Sequence, residues 1–153
     1  SFREFILKWT HPDYPAAKVD ARSIWRAERQ LGTLFPNAYC ETLVEFGAPS
    51  PSISLLHSIS ERGLPIPDVF DFFVPERVIE STLSWRKLGM PNDLVAFASD
   101  CSGNLFCFPV SAVRLAEAPI LFWDHDFDEV TEVGASFNDW IAQYCAIDLV
   151  EED

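Results

Sequence analysis

No stretch of the chain approaches 18 consecutive apolar residues, so it offers no candidate transmembrane helix. Its four cysteines, Cys40, Cys101, Cys107 and Cys145, form no C-x-x-C, which removes the zinc-ribbon and thioredoxin patterns. The six glycines are never closer than 14 residues, which excludes a G-x-G-x-x-G or P-loop phosphate cradle. There is no G-x-S-x-G elbow, no H-E-x-x-H and no N-x-[ST] acceptor. Base is scarce as well: 11 Lys and Arg stand against 24 Asp and Glu, a net charge of −13. A nucleic-acid binder needs a basic face, so that class is excluded. The opening SFREFILKWT lacks a signal-peptide layout, and Ser1 reads as a processed or truncated start.

What remains fits one folded domain over residues 1–153, with 48% hydrophobic and 23% charged residues. The charge is unevenly placed. Residues 1–87 hold 10 bases and 11 acids. Residues 88–153 hold one base, Arg114, and 13 acids, and so carry −12 of the −13. The acids are densest at Asp124, Asp126, Asp128, Glu129 and Glu132. Such a lopsided field favours a basic partner by raising the encounter rate, and it equally suits a solvated surface that keeps the protein soluble.

The pattern along the chain predicts helices first. Phe2 to Trp9 is an apolar start, helix or strand. Asp20 caps a helix to about Leu31, stopped by Gly32. Cys40, Leu43, Val44 and Gly47 fall on one buried stripe of a second helix. Ser52 to Arg62 is ambiguous with helical spacing, and Gly63 to Asp71 reads as a loop. Pro75 opens a third clear helix with Val78, Ile79, Thr82, Leu83 and Arg86 on one face. Short apolar runs then follow, at Leu94–Ala98, Leu105–Val110 and Ile120–Trp123, with a further strand at Glu129–Val133. Asp100–Asn104 suits a hairpin connection. Ser136 opens the last helix, whose Phe137, Trp140, Ile141, Tyr144 and Cys145 form the clearest period in the sequence. The tail Glu151-Glu152-Asp153 is expected to fray. The resulting fold class is α+β: N-terminal helices, a central mainly antiparallel sheet covered by helices on one face, and a closing C-terminal helix.

Chemistry is thinly signalled. The cysteines are expected to be reduced thiols of a cytosolic protein, with a Cys101–Cys107 disulfide as the alternative. Asp124, Asp126 and Asp128 copy the start of a calcium loop, but positions 6 and 12 hold Glu129 and Ala135 where Gly and Glu are required. Asp124 and His125 have the chemistry of an acid–base pair, with no nucleophile tied to them by spacing. No catalytic residue, metal or cofactor is assigned.

Several segments in order resemble the SUKH superfamily, the Smi-Knr type domain. They are Glu28, Leu31-Gly32 and Leu34-Phe35-Pro36; Tyr39 and Phe46-Gly47; Val95-Ala96-Phe97-Ala98-Ser99-Asp100; Gly103-Asn104 with Leu105-Phe106-Cys107-Phe108; Leu121-Phe122-Trp123-Asp124-His125-Asp126; and Ser136-Phe137. The likeness spans about residues 20–147, and no segment of 50–75 carries it. The resemblance implies an α+β fold without catalysis. It further implies a non-enzymatic protein-binding domain, an immunity protein that neutralises a secreted toxin in bacteria or a regulatory scaffold in fungi. The resemblance gives no toxin class; it is the acidic bias of residues 88–153 that points to a basic, nuclease-like toxin domain as partner, with neither nucleic acid nor membrane bound. Asp124, Asp126, Asp128 and Glu129 are the expected partner-binding residues. An intracellular adaptor is the alternative, and a small metal-dependent hydrolase at Asp124, His125 and Asp126 the remote one.

Overall fold

A computed structural model describes residues 1–151; Glu152 and Asp153 of the acidic tail lie outside the described residues. The chain begins with four helices, α1 (Phe2–Trp9), α2 (Ala21–Leu31), α3 (Asn37–Phe46) and α4 (Ile53–Arg62). Then come β1 (Asp71–Phe72), α5 (Pro75–Lys87), β2 (Leu94–Ser99), β3 (Leu105–Pro109), β4 (Ile120–Asp124), β5 (Glu129–Gly134) and α6 (Phe137–Cys145). The strands form one antiparallel meander in chain order, so the α+β architecture read from the sequence holds.

Local chemistry sets the helix ends. Asp20 accepts the Ser23 amide at 2.7 Å and Ser136 accepts the Asp139 amide at 3.1 Å, which starts α2 and α6. The opening segment is a helix: Ser1 Oγ accepts the Glu4 amide, and Phe2, Phe5 and Trp9 form its buried stripe. Trp9 Nε1 donates to the Tyr144 carbonyl at 3.0 Å, which ties α1 to α6. No side chain caps α3. Its first amides, Asn37 and Ala38, donate instead to the carbonyls of Leu115 and Ala116 in the β3–β4 connection. Past the other end of α3, Gly47 has φ 85° and lies against Ala17. A Cβ at Gly47 would stand 2.5 Å from the Ala17 carbonyl oxygen, so only glycine lets the 11–20 loop close onto α3.

The core is aromatic. A register shift between Ala96 and Ala98 leaves Phe97 as the extra residue, stacked on Phe108 at 5.4 Å and edge-on to Trp140 at 5.5 Å. Trp140 also meets Phe72, Phe106 and Phe137 and is fully buried. Gly134 allows this approach, because a Cβ there would lie 2.7 Å from the Cβ of Trp140.

The structure departs from the sequence pattern in three places. Helices lie on both faces of the sheet. Phe122 packs on Phe106 beside α6, so its neighbour Trp123 points to the opposite face. There Trp85 of α5 covers it at 5.5 Å. Two α5 side chains also bond β2 backbone: Thr82 Oγ1 accepts the Ala96 amide at 3.0 Å, and Arg86 donates to the Leu94 carbonyl. Secondly, Val44, placed on a buried stripe, and Leu83, placed on one face with Val78 and Thr82, are exposed. The buried arcs centre on Tyr39 and Leu43 in α3 and on Val78 and Thr82 in α5, and the next residue in each helix turns about 100° away. Thirdly, the last residue of the expected Gly63 to Asp71 loop opens β1, a two-residue strand too short to show an alternation of its own. The four cysteines are free thiols, as expected, and the alternative Cys101–Cys107 disulfide does not form.

Truncating the centre of the core should be costly: Trp140→Ala is expected to lose about 3–5 kcal/mol in urea unfolding. An unchanged midpoint and slope would remove α6 from the core.

Candidate protein-binding surface

Two hairpin turns sit side by side at one end of the sheet. In the β2–β3 turn, Asp100 Oδ1 accepts the amides of Ser102 and Asn104, both at 2.9 Å, and Oδ2 accepts the Asn104 side-chain amide at 3.2 Å. Asn104 Oδ1 in turn accepts the His125 backbone amide at 3.2 Å, which docks the β4–β5 turn on the first. Asp124 Oδ1 accepts the amides of Asp126 and Phe127, an Asx turn that bends the chain after β4. Asp128 adopts φ 51°, a left-handed conformation that aspartate tolerates, and its carboxylate accepts the Trp123 indole at 2.9 Å.

The four sequence-expected residues therefore come together on one turn, but with different roles. Asp124 and Asp128 each commit an oxygen to the turn itself. The Asp126 side chain is 72% exposed, and Glu129 opens an outward-facing stretch of β5. Between the acids stands Phe127, 75% exposed at the tip. His125 packs on Trp85 at 5.2 Å, its Nε2 lies 3.4 Å from Asp126 Oδ1, and its Nδ1 is buried without a partner. Among the described residues no serine hydroxyl or thiol hydrogen-bonds the His125 ring. Nor do three or more His, Cys, Asp or Glu side chains converge on a point that could hold a metal ion. The Asp124 and Asp128 carboxylates, spent on separate donors, explain why the calcium-like spacing does not make a loop. Burial pushes the Cys40 thiol up to about 11 and raises Cys107 further, which makes both poor nucleophiles.

Arg114, the one base after residue 87, is not available to these acids. Its guanidinium grips Glu28 in a two-bond fork, Nη1 to Oε2 at 2.9 Å and Nη2 to Oε1 at 3.0 Å, and also donates to the Phe35 carbonyl. Glu28 is 4% exposed and accepts the Phe35 amide at 2.7 Å. Among the described residues no Lys or Arg forms an ion pair with Asp124, Asp126, Asp128 or Glu129.

The chain matches the model of one family, described as the SMI1 / KNR4 family (SUKH-1), over residues 18–143. The chain belongs to this family. Comparison with curated proteins finds no match. SUKH domains are in general immunity or adaptor modules that bind protein partners. The match covers residues 50–75, where the sequence segments fell silent and where α4 and β1 lie. No helix of this SUKH-1 domain, among the described residues, is long and apolar enough to cross a membrane.

Three contributors to the surface escaped the sequence pattern. Phe127 carried a readable signal, an aromatic residue between two acids in a polar turn. Trp85 carried none, and Asn104 was readable only as part of the first hairpin connection, because each acts on the β4–β5 turn from a distant part of the chain.

The turn also makes stability depend on pH. Burial raises the Asp100 carboxyl above its ordinary value of 3.8, against the pull of the Asn104 and Ser102 bonds, and the charge of Asp68 adds to the rise. A carboxyl raised in the folded state binds its proton more tightly there. Its stabilising contribution is complete below 3.8 and is lost as pH rises through the higher folded value. Asp20, lowered by its bond to the Ser23 amide, works in the opposite sense: its contribution is lost as pH falls through its folded value, below 3.8. Urea midpoints measured from neutral pH to roughly pH 4 should therefore rise on acidification in the native protein, and less so in Asp100→Asn. Equal slopes for the two proteins would contradict the assignment.

Proposed function

We propose that this SUKH-1 domain is a non-enzymatic immunity protein that neutralises a secreted toxin effector by covering it with the β4–β5 turn. The observation that carries the reading is the combination at that turn: Asp126 and Glu129 project as uncompensated charge around an exposed aromatic, Phe127. An apolar anchor ringed by charge is the usual build of a binding hot spot. The charge draws in a basic partner and sets orientation, and the anchor governs how long the complex lasts. Nuclease effectors supply such a partner, since their active surfaces hold phosphates with Lys and Arg. Asp124 and Asp128 serve the same surface by holding the turn in shape.

The test begins with the neighbouring reading frames, where a large toxin with a C-terminal effector domain is expected. Association of that effector domain with the native protein and with an Asp126→Lys, Glu129→Lys variant is then compared by surface plasmon resonance. The variant should associate at least about tenfold more slowly. Phe127→Ala should instead dissociate faster, with a loss of about 2 kcal/mol. Unchanged rates in both variants would move the binding surface elsewhere. Endogenous partners in a pull-down, with no toxin gene nearby, would favour the adaptor reading.

A further inference from the structure

A second surface lies on the helices α2 and α3, away from the acidic turn. Arg114, which lines one end of it, belongs to the β3–β4 connection, at the other end of β4 from the acidic turn. Its α2 side exposes Arg22, Arg26 and Arg29 and no acid, because Glu28 is buried. Its α3 side exposes Glu41 and Glu45 and contains no base. Between the two rows runs an apolar groove of about 440 Å³, lined by Ala21, Ile24, Trp25, Cys40 and Val44. Trp25 is 55% exposed, with the Arg29 guanidinium over its ring at 4.9 Å. A half-exposed tryptophan beside an empty apolar groove is unusual on a surface that meets only water.

We propose that this two-helix face binds a second copy of the same chain. Its charges complement their own two-fold image. With the symmetry axis running along the groove, each α2 lies on the partner's α3, Arg22 and Arg29 meet Glu41 and Glu45, and Trp25 enters the facing groove beside Val44. The distribution of charge favours this face over others. Residues 88–153 carry −12, so an approach through them sets like charge against like. Residues 1–87 are nearly neutral, and within them α2 exposes bases where α3 exposes acids. A pair joined there leaves both acidic turns open to partners.

Sedimentation equilibrium on the full chain tests the proposal. The native protein should show the mass of two 17.3 kDa chains, with dissociation favoured by salt. Trp25→Ala should weaken the pair by about 30-fold, the scale of a hot-spot anchor. Glu41→Arg with Glu45→Arg, and separately Arg22→Glu with Arg29→Glu, should each give monomers. All four positions are exposed, so the helical circular dichroism should be kept. Mixed in equal amounts, the two charge-reversed proteins should pair again, each supplying the row the other lacks. A native protein that stays monomeric at low salt would overturn the proposal. So would a dimer indifferent to all three variants, or a mixture that fails to pair.

Discussion

A buried carboxylate and the only arginine after residue 87 join the two parts of this chain. Glu28 lies on α2 and Arg114 in the β3–β4 connection, 86 residues apart. Their fork also takes up the amide and carbonyl of Phe35, and Phe35 packs on Tyr39 and Phe108 in the aromatic core. The β3–β4 connection runs on to cap the first amides of α3, and the Thr33 hydroxyl accepts the Ser111 amide at 2.8 Å beside it. One charged contact therefore holds helices to sheet where neither α3 nor the connection has a cap of its own. Glu28, withdrawn from water, is a carboxylate costly to leave single, and Arg114, with its side chain 40% exposed, reaches it from the surface.

The same contact governs the electrostatics of the surface. With Arg114 held by Glu28, no Lys or Arg among the described residues pairs with Asp124, Asp126, Asp128 or Glu129. The β4–β5 turn concentrates them, and hydrogen bonds from within the turn fix its shape before any partner arrives. A preformed charged turn loses little freedom on binding, which suits a module whose task is to hold another protein. Its neighbourhood also carries the aromatic Trp85–His125 contact, which ties α5 to the turn from the opposite face of the sheet.

How much of this was legible in sequence follows from distance along the chain. Asp20, Gly32 and Ser136 mark helix ends through bonds to residues a few places away, and those ends fall where the pattern puts them. The four longer strands announce themselves by short Val- and Phe-rich runs, and the Phe137–Tyr144 period by its spacing. The acidic turn was legible as a place and as a charge. The division of labour within it was not, because an Asx bond and an indole bond look alike in a string of aspartates. Glu28 stood among the family-like residues, but nothing local paired it with Arg114. Coverage of both sheet faces was equally hidden, since it depends on Trp85 reaching Trp123 across the fold.

A double-mutant cycle in urea probes the central contact most directly. Arg114→Gln, which strands the Glu28 carboxylate in the core, should lose about 3 kcal/mol. Glu28→Gln should also be destabilising, and the double variant should lose less than the two together, with a coupling of at least about 1 kcal/mol. Additive losses would mean that the pair does not join the helices to the sheet, contradicting the account.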